Sequence, residues 1–428
     1  MRTRNTQPHI NPIDNFDIIR PERHMMPNGI TLNLIRAGNE EVVRMDILIH
    51  AGTWQQERSL QALFTNRMLR EGTNGMNAVE ISERLDFYGA WMELTTSVNC
   101  NFLTLYTLNK YAEQTIALVS SLLREPTFPE KEFQISIAAN KQQFIVNSQK
   151  VDVIARKIFN QAYFGKVHPC GRFATEEDYD LLTIEHLHSF YYKHYHSGTC
   201  SIYLSGKVND SLVKVIECEL GTHVWGRMGE KTPFLPIKPS PFRGQSLFVD
   251  HPNAIQSALR IGNPLVDRIH PDFHKLRVLV TLLGGYFGSR LMKNIREDKG
   301  YTYGIGAGIA SYPAEGILVI NTETANEYVN PCIQEIKKEM KRLQDEMVDE
   351  RELTMVKNYM LGEICRGYEG PFSLSEAWIY IESAGLSEDF CNSSIDTIRK
   401  VTPKEIHQMA CKYLRPENCL EIIVGEKA

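Results

Sequence analysis

Residues 42–50, VVRMDILIH, carry apolar side chains at Val43, Met45, Ile47 and Ile49, every second position. That period gives a strand one face in a core. From residue 57 the period lengthens. Leu60, Leu63, Phe64 and Met68 fall on one side of a helix predicted over 57–71, with Gly72 as its stop. Asn77 followed by Glu80 has capping-box spacing and opens a second helix to about Tyr88. Two strand-like runs within 91–109 flank Asn99–Asn101, as in a hairpin. Helical patterns then cover 111–124 and 130–163, broken by Pro126 and Pro129. After residue 250 the style returns. Strands are predicted at 255–261, 302–310 and 316–323, and helices at 272–298, 327–345, 349–366 and 373–384.

The return is also visible residue by residue. Thr183–Gly206 can be laid over Thr402–Gly425 at a constant offset of 219 with no gap. Thr183/Thr402, His188/His407, Lys193/Lys412, Cys200/Cys419 and Gly206/Gly425 are identical. Each copy reads as an amphipathic helix, a polar turn and a short apolar strand ending in Gly. The chain therefore divides into a first half, 1–231, and a second half, 244–428. Residues 232–243 join them, and their four prolines suit neither a helix nor a central strand. Hairpins mixed with helical runs give an α+β class: two homologous α/β-sandwich halves, each a mainly antiparallel sheet covered by helices.

Composition narrows the possible functions. The 428 residues are 43% hydrophobic and 23% charged, enough apolar surface for cores of domain size. The 47 Lys+Arg against 52 Asp+Glu leave no basic excess for a nucleic acid. No apolar run reaches the ~20 residues that span a bilayer. The nine cysteines are odd in number and scattered without a C-x-x-C, which excludes a disulfide scaffold and a Cys-type zinc module. Free thiols and the missing secretory h-region point to the cytoplasm.

The densest local signal is Gly284–Tyr303, GGYFGSRLMKNIREDKGYTY. It resembles the second-half signature of the pitrilysin (insulinase) metallopeptidases, the inverted zincins. Ala51–Gly89, ending REGTNGMNAVEISERLDFYG, resembles that family's first-half segment, and the likeness runs over roughly residues 15–426. The family's zinc motif is H-x-x-E-H on a helix: two His bind zinc and the Glu is the general base. A further Glu on a downstream helix completes the ligands. Alignment on Gly72–Thr73 puts the motif on LFTNR. Leu63 and Arg67 then stand at the two His positions, Asn66 at the base position, and Gln143 at or near the distal Glu. None of the four can play its part. Leu does not ligate, Arg repels a dication, and Asn and Gln take no proton at neutral pH. The resemblance therefore implies no metal in this chain.

It implies a retained partner site instead. In two-part members an Arg and a Tyr seven residues apart bind substrate, and Arg296 and Tyr303 match them. A guanidinium gives charge-assisted donors to a peptide carbonyl. A Tyr hydroxyl can donate to a developing oxyanion. The resemblance implies a non-catalytic, substrate-binding subunit of a two-chain zinc peptidase. It would be inactive alone and active with a homologous chain that supplies H-x-x-E-H and zinc, the pair enclosing a chamber for peptides. Two other readings remain open: a scaffold subunit that cuts nothing, and a homodimer that only binds peptides.

Other groupings read as structure. Gly284, Gly285, Gly288 and Ser289 lack the Lys-Ser/Thr of a phosphate loop and favour close packing. His186, His188, His194 and His196 have no acid or Cys to complete a metal set. His270 and His274 flank Pro271 and read as a helix start. Gly304, Gly306 and Gly308 sit in a strand-like run where a backbone or a substrate strand could approach.

Overall fold

A computed structural model of the chain describes residues 18–226, 237, 239 and 244–427. Apart from Ile237 and Pro239, the proline-rich stretch 232–243 lies outside the described residues. Two sheets organise the rest. The first runs, in spatial order, Glu22–Met25, Thr31–Arg36, Cys200–Gly206, Val42–Ile49, Asn101–Leu108 and Trp91–Thr96. The second runs Gln245–Asp250, Leu420–Gly425, Gln256–Leu265, Glu315–Ala325 and Ile305–Tyr312. Without Glu22–Met25, the two orders are the same. Each sheet has one parallel pair, Thr31–Arg36 with Cys200–Gly206 and Gln245–Asp250 with Leu420–Gly425; the other pairs are antiparallel.

The repeat found in the sequence is the same piece of structure in both halves. Helix Ile184–His194 leads to the strand Cys200–Gly206, and helix Pro403–Tyr413 leads to Leu420–Gly425. Thr402 and Glu405 form a capping box, and Thr183 does so with His186. His186 is thereby occupied as a cap partner, since its Nδ1 accepts from the Thr183 N–H at 3.1 Å.

Helices cover both faces of each sheet, and one covering helix comes from the opposite half. Helix Val151–Phe164, from the first half, lies on the second sheet. Its Ala155, Phe159 and Tyr163 pack among Ala258, Ile317, Leu420 and Ile422. Helix Pro371–Ser383, from the second half, lies on the first sheet, with Leu374, Trp378 and Ile381 against Ile35, Leu48 and Tyr203. This exchange explains a departure from the sequence reading of Val42–Ile49. Its odd positions, 43 to 49, enter the core as expected, but Arg44 and Asp46 on the other face are buried too, at 7% and 2% exposure. The crossing helix closes over them, and Glu376 and Ser375 from it join their network. Burial works against the Arg44 charge, but Asp46 and Glu376 more than offset it and raise its pKa above the ordinary value.

Two other predicted elements change. The helix expected over 57–71 begins only at Gln61, because Leu60 takes a left-handed conformation with φ 70°. The helix expected over 272–298 is interrupted. Phe273–Val280 continues as a wide turn to Gly285, Tyr286 is extended, and a second wide helical segment covers Met292–Asp298. Gly284 marks the reason: a Cβ there would stand 2.6 Å from the Ala307 side chain. The backbone presses on the neighbouring strand, as the packing reading required.

Candidate functional site

Helix Gln61–Arg67 holds three of the four zinc-motif positions. It packs beneath the hairpin Trp91–Leu108, beside helix Ile184–His194. Its polar side chains all find partners inside the protein. Gln61 Oε1 accepts from the Glu57 N–H at 2.9 Å, and its Nε2 donates to the His186 carbonyl at 2.8 Å. Thr65 Oγ1 donates back to the Gln61 carbonyl at 2.8 Å.

Asn66 is 1% exposed and fully committed. Its Nδ2 donates to the carbonyls of Thr95 at 2.8 Å and Phe102 at 3.2 Å, one on each arm of the hairpin. Its Oδ1 accepts from the Tyr195 hydroxyl at 3.1 Å, and that hydroxyl accepts from Asn101 Nδ2 at 2.9 Å. A side chain with every donor and acceptor engaged in this way cannot handle a substrate proton.

Leu63 is half-buried against the core. The Arg67 guanidinium donates to Asn140 Oδ1 on helix Glu130–Ser148. Gln143, one turn further along that helix, is exposed. The structure thus joins Arg67 to Asn140 rather than to Gln143. Neither Asn140 nor Tyr195 was picked out from the sequence, and a lone Asn or Tyr in a helical pattern carries no signal that would have done so. Leu63, Asn66 and Arg67 do not fit a zinc ion. Among the described residues, no group of three or more His, Cys, Asp or Glu could hold a metal.

The second-half pair is arranged differently. Arg296 lies on Met292–Asp298 with its guanidinium 4.6 Å from the centre of the Phe287 ring, a cation–π contact. Gly300, at φ 67°, turns the chain, a conformation a side chain would strain. Thr302 then anchors the exit by donating to the Glu323 carbonyl at 2.6 Å, while Tyr301 stacks on Tyr328 with ring centres 4.9 Å apart. Between these two fixed residues and the sheet, Tyr303 stands 91% exposed. It borders a cavity of about 390 Å³ shared with Arg156, Arg260, Asp152 and Glu323. Arg296 does not line that cavity. Arg260 was also missed in the sequence, although a single charge between Leu259 and Ile261 in a strand is the kind of signal that finds such a residue.

The histidine groups serve packing. His194 is buried, and burial lowers its pKa to about 4. His270 Nδ1 accepts from the Asp272 N–H at 3.0 Å at the start of helix Phe273–Val280. The Asp272 carboxylate is taken by Lys412 and the Tyr413 hydroxyl. No described helix is long and apolar enough to cross a membrane.

Comparison with known proteins gives a consistent answer. Residues 33–168 match the family described as insulinase (peptidase family M16), and residues 181–360 match the peptidase M16 inactive domain. An uncharacterized zinc protease of Rickettsia felis is 24% identical over 97% of this chain and 93% of its own length. The protein called non-peptidase homolog YmxG in Helicobacter pylori is 22% identical over 96% of this chain and 92% of its own. The crystal structure of a peptidase M16 inactive domain from Pseudomonas fluorescens superposes with a TM-score of 0.83 at 20% identity, covering 96% of this chain and 99% of that one. With both halves matched and the fold shared end to end, the chain belongs to the peptidase M16 (insulinase) family.

Proposed function

We propose that this chain is the non-catalytic, substrate-binding subunit of a two-chain zinc metallopeptidase. A homologous chain with H-x-x-E-H supplies the zinc and the general base, and the two enclose peptide substrates. The observation that carries this reading is the exposure of Tyr303 on a backbone fixed before it by Tyr301 and Thr302 and after it by the Gly304 carbonyl, which accepts from Thr322 Oγ1 at 2.8 Å. A large aromatic ring held in solvent on a fixed backbone is available to a ligand without rearrangement. Arg296, preset over Phe287, offers N–H donors to a peptide carbonyl. The Tyr303 hydroxyl offers one more donor to an oxyanion.

The test is peptide cleavage by the chain alone, by its partner alone and by both together. Only the mixture is expected to cut. In that mixture Tyr303→Phe and Arg296→Ala are each expected to lower kcat by about 100-fold. Full activity in both variants removes the role assigned to the pair. Stable assembly into a larger particle, with no peptide bound or cut, selects the scaffold reading.

A further inference from the structure

A cavity of about 600 Å³ lies away from Tyr303. It falls within the ~300–1,000 Å³ range of small-ligand sites. One wall is the strand Ile305–Tyr312, which ends the second sheet and pairs only with Glu315–Ala325. Helix Pro371–Ser383, the helix that the second half lends to the first sheet, supplies another wall through Glu376 and Tyr380.

Two arginines line it, Arg268 and Arg277. Neither has a carboxylate within ion-pair distance among the described residues. Among the described residues Arg277 donates only to Ser394 Oγ, at 2.8 Å. Burial lowers its pKa, and the groups around it are Tyr380, Tyr368 and Cys391 rather than an acid. Arg268 lies 4.8 Å from the centre of the Tyr380 ring, and its Nε is buried without a hydrogen-bond partner.

Two other arginines of the fold are paired with acids, whereas Arg260 beside Tyr303, like this pair, is not. Arg44 is held by Asp46 and Glu376, and Arg290 by Glu352 through two bonds of 2.9 and 2.8 Å. An unpaired guanidinium in a protein interior is costly, and a pair of them facing one cavity more so. The one acid in the lining, Glu376, is already claimed by Arg44. Two cations and one committed anion leave a single positive charge, which suits a monoanion better than a phosphate dianion. The forked guanidinium donors match a carboxylate.

We propose that this cavity is a carboxylate receptor, with Arg277 and Arg268 binding the carboxylate of a peptide whose extended chain follows the edge of the strand Ile305–Tyr312. This rests on the reading of the chain as a peptide-binding subunit, and it adds which chemical group of the substrate is recognised and where. An exposed sheet edge offers backbone donors and acceptors to an extended segment. Tyr368, Tyr380 and Phe390 give the segment apolar surface.

The full chain is titrated with three labelled peptides of one sequence: free C-terminus, amidated C-terminus, and amidated with one internal Glu. Tighter binding of the free peptide by about tenfold over the amidated one is expected, and Arg277→Met is expected to abolish the difference. Equal binding of the internal-Glu peptide identifies a side-chain carboxylate as the source. Equal binding of all three overturns the receptor while leaving peptide binding intact.

A second measurement does not depend on peptide binding. N-acetylglycine is expected to raise the Tm of the chain, and N-acetylglycinamide or inorganic phosphate is not. Arg268→Gln and Arg277→Met should lose that rise while keeping a Tm at or above the parent value, since each removes an unpaired charge. No rise with N-acetylglycine, or an equal rise in the variants, overturns the proposal.

Discussion

Helix Gln61–Arg67 turns its polar groups into the protein, whereas the segment Arg296–Tyr303 leaves Arg296 half-buried and Tyr303 in solvent. Both lie on short helical turns beside a hairpin, and both are tied down by hydrogen bonds. The difference is where the bonds fall. In the first, the side chain at the base position is itself the tie: Asn66 links both hairpin arms to Tyr195. In the second, the neighbours of Tyr303 carry the ties and leave its ring free. A position that is part of the scaffold cannot also face a substrate, whereas a ring left free by its neighbours can.

Five measurements can break or sharpen that contrast. The largest effect is expected for Asn66→Glu, which puts an unpaired charge in a closed site and should cost about 3–5 kcal/mol in urea unfolding at pH 7. Combining it with Leu63→His and Arg67→His restores the motif, and zinc content by mass spectrometry should stay below one per chain. Stoichiometric zinc in a stable triple variant would show that the helix still faces an open site. Asn66→Ala should cost about 2 kcal/mol, because the Tyr195 hydroxyl and two strand carbonyls lose a partner. A loss below ~0.5 kcal/mol would remove the structural role.

Acid should act next. His194 is buried and His274 half-buried, and burial lowers each from 6.5 to about 4. Both fold in the neutral form, while the unfolded chain takes up protons once the pH drops below 6.5. Their contribution is present above that value and is lost as the pH falls toward 4. The Tm should therefore decline across that window, and His194→Gln should flatten the decline. An unchanged slope would place the acid sensitivity elsewhere. The smallest effect belongs to Tyr303→Phe, expected within ~0.5 kcal/mol of the parent in stability because the hydroxyl is in solvent. A larger loss would mean that Tyr303 is structural after all.

Much of the fold was legible because local periods report local structure. The alternation in Val42–Ile49, the capping box at Asn77 and Glu80, and the hairpin at 91–108 depend on residues close in sequence. In the two large sheets Glu22–Met25, Thr31–Arg36 and Gln245–Asp250 were not read beforehand; Glu22–Met25 is a sheet edge exposed along its whole length, where burial imposes no alternation. The interrupted helix after Phe273 was missed for another reason. Its break is set by contact of Gly284 with Ala307, a neighbour more than twenty residues away. The candidate site was legible as residue types at spacings. What those residues touch was not, since the partners of Asn66 come from residues 95, 102 and 195.

The sequence by itself determined that the chain has two related halves of mixed helix and strand, and that Leu63, Asn66 and Arg67 offer no zinc ligands or base. Both follow from side-chain chemistry and short-range pattern. Only the tertiary structure decided that each half lends a helix to the other's sheet, one seam apolar around Phe159 and the other threaded by Arg44, Asp46 and Glu376. It also decided that Asn66 is sealed, that Tyr303 is free, and that Arg268 and Arg277 share a cavity whose one acid, Glu376, is paired with Arg44. Pairing, burial and charge balance arise between segments far apart in the chain, and no local period encodes them.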